Sequence, residues 1–437
     1  MNVRRETTSC GSNSILIAGD SVLSPGFNNG SFSDCIQTLI RDADKAIANI
    51  EAPIDTQTPT PKHGPVRGQT QEDIITLSNI GFDIGTLANN HMMDHGVTGL
   101  DSTIRACSST GLSTVGAGES ASDAIKPIIE KVGDVSVAIF NVCGREFGIA
   151  DKKTPGVAWI GQPGLERTIQ KYTSKADFVI VVAHGGLEYI PIPPRSWQRT
   201  LRSLVEAGAD AVVCHHPHVA QSWEIYQSSP IVYSLGNFAF HLPNNPATRW
   251  SYLFEIEFNE SNTLRPFVHL IETKKGNVQL LSQDESEEFW NYLLKSSDII
   301  KKLPTERGYW QEVATNLYTD HYKNSLEAYG NGRFLSLLRY PVRELDLLTQ
   351  GIIGRKEYKD FEKLDILNYI QYESHRDVVE TSLRVQTGVI DDERTPEIEQ
   401  EVEDLLSWTD PEKEERRLEV FKRRMKTVFN RASSMLW

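Results

Sequence analysis

Three short segments concentrate the side chains able to do chemistry: Asn89-Asn90-His91-Met92-Met93-Asp94-His95-Gly96, His184-Gly185-Gly186-Leu187-Glu188-Tyr189 and His215-His216-Pro217-His218. Six of the chain's 11 histidines lie in them, each segment directly after a short apolar run. Imidazole, amide and carboxylate groups gathered in this way suit a metal-dependent hydrolase, and no Cys-rich zinc knuckle accompanies them.

The apolar runs Ile15–Ala18, Lys45–Ile50, Phe82–Ala88, Val135–Phe140, Phe178–Ala183 and Ala211–Val213 predict strands. Helical spacing falls between them at 33–44, 70–80, 97–109, 163–174 and 195–207, and Gly81, Gly111 and Gly208 follow three of these stretches as C-cap signals. Strands are also expected at Ser229–Leu235, Trp250–Phe258 and about Leu264–Thr273. This alternation predicts an open α/β arrangement whose polar motifs leave the sheet at strand ends, where such folds place their sites.

Asp20 follows the first strand, where its carboxylate can reach a cation; taken alone it serves equally as an Asx turn or helix cap. Asn49 and Glu51 follow the second, with Pro53 close behind, so either can cap a loop, and Glu51 can bridge two cations through its two oxygens. Asn90 offers an amide oxygen beside His91, a candidate proton donor that Asp94 can hold in one tautomer; helix capping by Asn90 and a core role for His91 are the bland alternatives. His184 ends an apolar strand, as many structural histidines do, and the two following glycines leave room for close approach of a ligand. His216 and His218 flank Pro217 at a spacing that can serve one ion each in a pair. His215 faces elsewhere, His95 is expected behind the site or at the surface, and Met92 and Met93 are packing residues. All six ligand candidates, Asp20, Glu51, Asn90, His184, His216 and His218, are expected to converge. The mixed shell favours one or two divalent transition ions, Mn by default, with Zn or Fe as alternatives.

In their joint order, Gly19-Asp20-Ser21-Val22-Leu23, Asn49-Ile50-Glu51-Ala52-Pro53, the segments 87–96, 184–189 and 215–219, and Ile231–Phe238 resemble the CapA family of capsule or poly-gamma-glutamate biosynthesis proteins. That family lies within the calcineurin-like metallophosphoesterase superfamily, and the likeness covers roughly residues 15–245. The resemblance implies a four-layer α-β-β-α sandwich with metals at the strand ends. It implies Asp20, Glu51 and His218 around one cation and Glu51, Asn90, His184 and His216 around another, with His91 and Asp94 catalytic. It also implies Glu188, Tyr189 and Arg195 facing substrate, and Asn237 with Ser234 closing the site or serving only the strand turn. Val22 stands where the wider superfamily carries a histidine, a loss CapA-like chains share; Cys214 replaces a glycine usual before the paired histidines, and Gly185 a frequent aromatic residue.

Length, charge and composition bound the rest. With 437 residues the chain divides into an N-terminal arm at 1–14, a metallophosphatase-like domain at 15–275, a helical extension at 276–390 and charged C-terminal helices at 391–437. In the extension, Glu285–Leu294, Gly330–Leu347 with a kink at Pro341, and Leu364–Ser382 have helical spacing, and the pairs Phe289 with Leu293 and Phe334 with Leu338 predict faces that pack on the core or on a second copy in a homodimer. Residues 391–396 read as a linker. The net charge of −14 argues against a duplex nucleic-acid surface and a nuclease role. Five irregularly spaced cysteines predict free thiols, and a polar start without an apolar membrane-length run predicts a cytoplasmic protein. The leading expectation is a phosphoesterase-like hydrolase acting on a small molecule or anionic polymer; the alternative is a non-catalytic polymer-handling or assembly protein on the same scaffold.

Overall fold

The computed structural model describes residues 3–5, 13–62, 64–242, 245–259, 263–323, 326, 364 and 367–409. Strands Ser14–Val22 and Phe178–His184 are buried along their whole length, which only a layer covered on both faces allows. Ser14–Val22 lies in a nine-stranded sheet. Its main order is Arg4–Arg5, Leu264–Lys274, Trp250–Phe258, Ser14–Val22, Lys45–Ile50, Ile84–Thr86 and Ser113–Val115, and Asn237–Phe240 and Asn277–Leu280 pair off this path. Phe178–His184 lies in a six-stranded sheet ordered Gln221–Tyr226, Ser229–Ser234, Ala211–His215, Phe178–His184, Val135–Cys143 and Ile128–Val132.

The two sheets meet face to face. Phe178 packs on Phe258 with ring centroids 4.8 Å apart, His215 Nε2 donates to the Ala18 carbonyl at 2.8 Å, and Ala88 N donates to Asn141 Oδ1 at 2.6 Å. Helices Asp34–Asp42, Gln71–Ile80 and Gly96–Thr110 connect strands of the first sheet, and Leu165–Tyr172 and Arg195–Glu206 connect strands of the second. Gly81 and Gly111 end their helices in the left-handed conformation, at φ 118° and 85°. The result is a mixed α/β sandwich followed by a helical extension. Parallel register carries the chemistry to one end: Asp20 pairs with Asn49 and with Asn237, while His184 pairs with His215 and with Cys143.

Several strands escape the hydrophobic pattern. Gln221–Tyr226 is largely buried yet carries Gln221, Ser222 and Glu224. Part of that polarity is paired internally: Gln221 Nε2 donates to the Ile190 carbonyl, and Glu224 accepts from Arg202 and Tyr233, while Gln221 Oε1 and Ser222 Oγ are buried without a hydrogen-bond partner. The first sheet also runs past residue 275 through Asn277–Leu280 before helix Gln283–Lys302 begins.

That helix lies against Gln221–Tyr226. Tyr292 Oη donates to the Ala220 carbonyl at 2.7 Å and Ser297 Oγ to the Trp223 carbonyl at 2.8 Å, and Phe289 and Leu293 are fully buried. Trp408 of helix Pro396–Thr409 stacks on Tyr292 at 4.7 Å and on Phe289 at 6.4 Å. The segment expected as a linker is pinned instead: Gln311 Nε2 donates to the Asp391 carbonyl and Glu393 N donates to Gln311 Oε1. The helix expected at Gly330–Leu347 with its Phe334 and Leu338 pair, residues 410–437, Cys10 and most of the arm lie outside the described residues. Among those described, Cys35, Cys107, Cys143 and Cys214 are free thiols, and no helix is long and apolar enough to cross a membrane.

Phe289→Ala removes a buried ring that three aromatic neighbours enclose, so it should cost about 3–5 kcal/mol in denaturant unfolding. A loss below about 1 kcal/mol would mean that the extension is only loosely attached.

Candidate metal centre

Asp20 and Glu51 are completely buried at the ends of adjacent strands, facing histidines from the other sheet. Asp20 Oδ1 accepts from Asn49 Nδ2 at 2.7 Å and Oδ2 from His216 N at 3.2 Å; His218 Nδ1 lies 3.4 Å from Oδ2 and His184 Nδ1 3.9 Å from Oδ1. Burial alone would raise this carboxyl's pKa, but the hydrogen bond to His218 and the neighbouring imidazoles outweigh it and hold it well below the usual carboxylate range.

Glu51 is the opposite case. Neither of its oxygens has a hydrogen-bond partner, although both are buried. Burial and the Asp20 carboxylate push its pKa well above the ordinary value. His184 Nε2 stands 3.8 Å and His218 Nε2 3.7 Å from Glu51 Oε1. Burial works to lower the pKa of His218, yet Glu51 and Asp20 together raise it to about 10. The pocket thus draws in positive charge, and two orphaned carboxylate oxygens facing imidazole nitrogens are a donor set that fits a divalent cation. Ligand atoms of Asp20, Glu51 and His184 all lie within 4.8 Å of one another.

The remaining candidates close around the same point. His184 Nε2 is 3.1 Å from Asn90 Oδ1 and 3.2 Å from His216 Nδ1. His216 and His218 hold left-handed backbones, φ 101° and 59°; the His218 ring faces Asp20 and Glu51, and the His216 ring meets His184, with its Nε2 3.9 Å from Glu146 Oε2. His91 Nδ1 lies 2.7 Å from Asp94 Oδ2, and burial lowers its pKa to about 4 despite that carboxylate.

Not every expected site residue points inward. Tyr189 is half-buried with its ring centroid 5.8 Å from that of His218, and Glu188 beside it is exposed. Arg195 Nη2 instead donates to the Pro304 carbonyl of the extension at 3.0 Å. Asn237, expected to close the site against substrate or to serve the strand turn, is fully buried; its Oδ1 meets His218 Nδ1 at 3.0 Å and its Nδ2 donates to the Phe240 carbonyl, so both side-chain groups are committed inside the protein. Ser234 Oγ accepts from Gly236 N and serves the turn. Gly185 accommodates a protein neighbour, since a Cβ there would lie 2.6 Å from the Trp197 ring. His95 is buried beside Asp55, its Nδ1 3.3 Å from Asp55 Oδ1.

Sequence reasoning missed Lys62 and Tyr372. Lys62 is buried, and its Nζ donates to Asp94 Oδ1 at 2.5 Å and to the Asn90 carbonyl at 2.8 Å, and stands 3.1 Å from His91 Nδ1. It sits in Thr58-Pro59-Thr60-Pro61-Lys62, where no periodicity marks a buried position. Tyr372 reaches the site from the extension, where only the three-dimensional structure brings it near His216.

Comparison with known proteins gives the chain's relatives. Residues 14–242 match the family described as bacterial capsule synthesis protein PGA_cap. The PGA biosynthesis protein CapA of Bacillus subtilis (strain 168) is 32% identical over 284 residues, covering 64% of this chain and 72% of that protein. The capsule biosynthesis protein CapA of Bacillus anthracis is 38% identical over 176 residues, 39% of this chain and 43% of that one. Among solved structures, a phosphatase from Mycoplasma pneumoniae aligns over 64% of this chain and 99% of its own, with 14% identity and a TM-score of 0.39. With its family match spanning residues 14–242, this chain belongs to the bacterial capsule synthesis protein PGA_cap family.

Proposed function

We propose that the chain is a metal-dependent hydrolase of phosphoester type, acting in the making or processing of a capsule, poly-gamma-glutamate or related anionic polymer. Glu51 carries this reading: a fully buried carboxylate with two unpartnered oxygens, set among imidazoles, calls for a cation. Asp20, Glu51 and His218 would hold one ion, and Glu51, Asn90, His184 and His216 a second. Mixed carboxylate, amide and imidazole donors favour Mn, with Zn or Fe as alternatives. A bound divalent cation supplies positive charge that polarises a phosphoryl or carbonyl oxygen and stabilises charge developing on it.

The chain's own groups would do the rest. Asp94 fixes His91 through Nδ1 and would stabilise an imidazolium whose Nε2 hands a proton to the leaving group, a proton the ring takes up only when an anionic substrate raises its pKa from about 4. Lys62 offsets the Asp94 charge in a site closed to water. Glu188 and Tyr189, on the more open side, would meet substrate. The names of the relatives support the polymer pathway, and as the chain spans 72% and 43% of their lengths, the pathway is proposed for the aligned region. The net charge of −14 disfavours a duplex nucleic-acid substrate. A homodimer, expected from the apolar faces of the extension, belongs to this proposal, and solution mass tests it. A second reading, a non-catalytic polymer-handling protein, is disfavoured by the His91, Asp94 and Lys62 arrangement, because binding alone needs no oriented proton donor.

Two measurements test the reading. Protein kept from chelators should carry stoichiometric transition metal by elemental analysis. Glu51→Gln should lose that metal, because a neutral amide replaces the buried carboxylate; unchanged metal content would refute the assignment. In a screen of phosphomonoesters, phosphodiesters and amides with Mn-loaded protein, His91→Asn should lower kcat on any turned-over substrate by roughly 10²–10⁴-fold with metal affinity retained. Equal turnover by the variant would remove His91 from the chemistry.

A further inference from the structure

Tyr372 stands at the start of helix Glu373–Gln386 in the extension, yet it is 2% exposed and wedged among the loops of the metal centre. Its hydroxyl accepts from Gly186 N at 2.7 Å, across 186 residues of chain. The ring meets His216 edge-on, centroids 6.0 Å apart with planes at 90°. A Cβ on Gly144 would lie 2.5 Å from Tyr372 Cε2, so the ring occupies space that only glycine leaves open. Gly144 N in turn donates to the His184 carbonyl at 2.8 Å. One side chain therefore touches the loops that follow three adjacent parallel strands, Val135–Cys143, Phe178–His184 and Ala211–His215.

Packing alone does not account for this residue, because phenylalanine would fill the same volume. A buried hydroxyl is costly unless bonded, and the donor it meets is the amide of a glycine at φ 114°, in the turn just after His184. The extension is also tied to the domain by Asp377, which accepts from Ser196 N at 2.8 Å, while Trp310 Nε1 donates to Asp377 at 3.0 Å and Tyr322 Oη bonds His375 Nδ1 at 2.5 Å within the extension itself.

We propose that Tyr372 is a positioning residue of the metal centre, fixing His184 and His216 by tying down the Gly186 turn and walling the His216 ring, which makes the helical extension a working part of the site. The inference rests on the proposed reading of Asp20, Glu51 and His184 as metal ligands. Groups behind the ligands set their orientation, and losing such a group typically weakens metal binding by 10–100-fold.

The test is Mn²⁺ binding to the full chain, followed by calorimetry and electron paramagnetic resonance, with Tyr372→Phe and Tyr372→Ala beside the native protein. Tyr372→Phe keeps the ring and loses the hydroxyl; it should bind Mn²⁺ about 10-fold more weakly, and Gly186 amide exchange should accelerate. Tyr372→Ala should approach a 100-fold loss and alter the Mn²⁺ spectrum. A purely structural role would lower the melting temperature of both variants while leaving Mn²⁺ affinity and spectrum unchanged, and that result overturns the proposal. Should the alanine variant not fold, the phenylalanine variant decides alone. Native protein that takes up neither Mn, Zn nor Fe would instead overturn the reading of the site, and this inference with it.

Discussion

Two carboxylates taken wholly out of water, Asp20 and Glu51, govern the architecture around them. Burying an ion costs several kcal/mol after relaxation, and the cost is recovered only by close, well-aligned partners. Asp20 has such partners in the Asn49 amide, the His216 backbone N–H and the His218 ring. Glu51 has none among hydrogen-bond donors, and imidazole nitrogens of His218 and His184 stand 3.7 and 3.8 Å from its Oε1. Two sheets must therefore present their strand ends to one point, the first bringing the carboxylates and the second the histidines. The register that pairs Asp20 with Asn49 and His184 with His215 meets that demand.

The same constraint accounts for the strained backbone. His216, His218 and Tyr189 all have positive φ, a conformation that costs of order 1–3 kcal/mol for a residue with a side chain. Hydrogen bonds from the surrounding loops hold them there: Tyr189 N donates to the Pro217 carbonyl at 2.8 Å, and Gly185 N to the His215 carbonyl at 3.0 Å. The close approach of the Ser14–Val22 strand to the 235–237 turn serves the same end. A Cβ at Gly19 would overlap the Gly236 carbonyl oxygen, which accepts from Asp20 N at 3.1 Å. Strain held by so dense a network keeps the ligand atoms facing one another before any ion arrives.

Much of this was legible in the chain. Apolar runs ending in Asp20, His184 and His215 marked strands whose last residues leave a covered sheet, because period, length and terminal polarity are local properties. Helices 71–80 and 96–110 fell within a residue of expectation, helped by the glycines that end them. Local pattern gave no signal for Gln221–Tyr226, where Gln, Ser and Glu interrupt any apolar run although all three are buried. It failed again for Lys62 and Tyr372, because a buried lysine in a Pro/Thr loop and a tyrosine supplied by a distant helix acquire their roles only from partners remote in sequence. For Asn237 the pattern left closing the site and serving the strand turn both open; only the position of His218 shows that its amide turns inward.

That inward amide points to a division of labour among the polar groups. A histidine can offer one nitrogen to a cation only if the other is committed, and Asn237 Oδ1 commits His218 Nδ1, leaving Nε2 turned toward Glu51. Asn49 acts likewise on Asp20, and Asn89 Oδ1 accepts from the backbone N–H groups of His91 and Met92 to set the loop that carries Asn90. Neutral amides can orient ligands in a dry pocket without adding charge that would need compensation of its own. Had carboxylates filled those orienting positions, each would have competed with Glu51 for the histidine protons. With Asp94 balanced by Lys62, the carboxylates Asp20 and Glu51 concentrate the attraction for a cation where strands from both sheets converge.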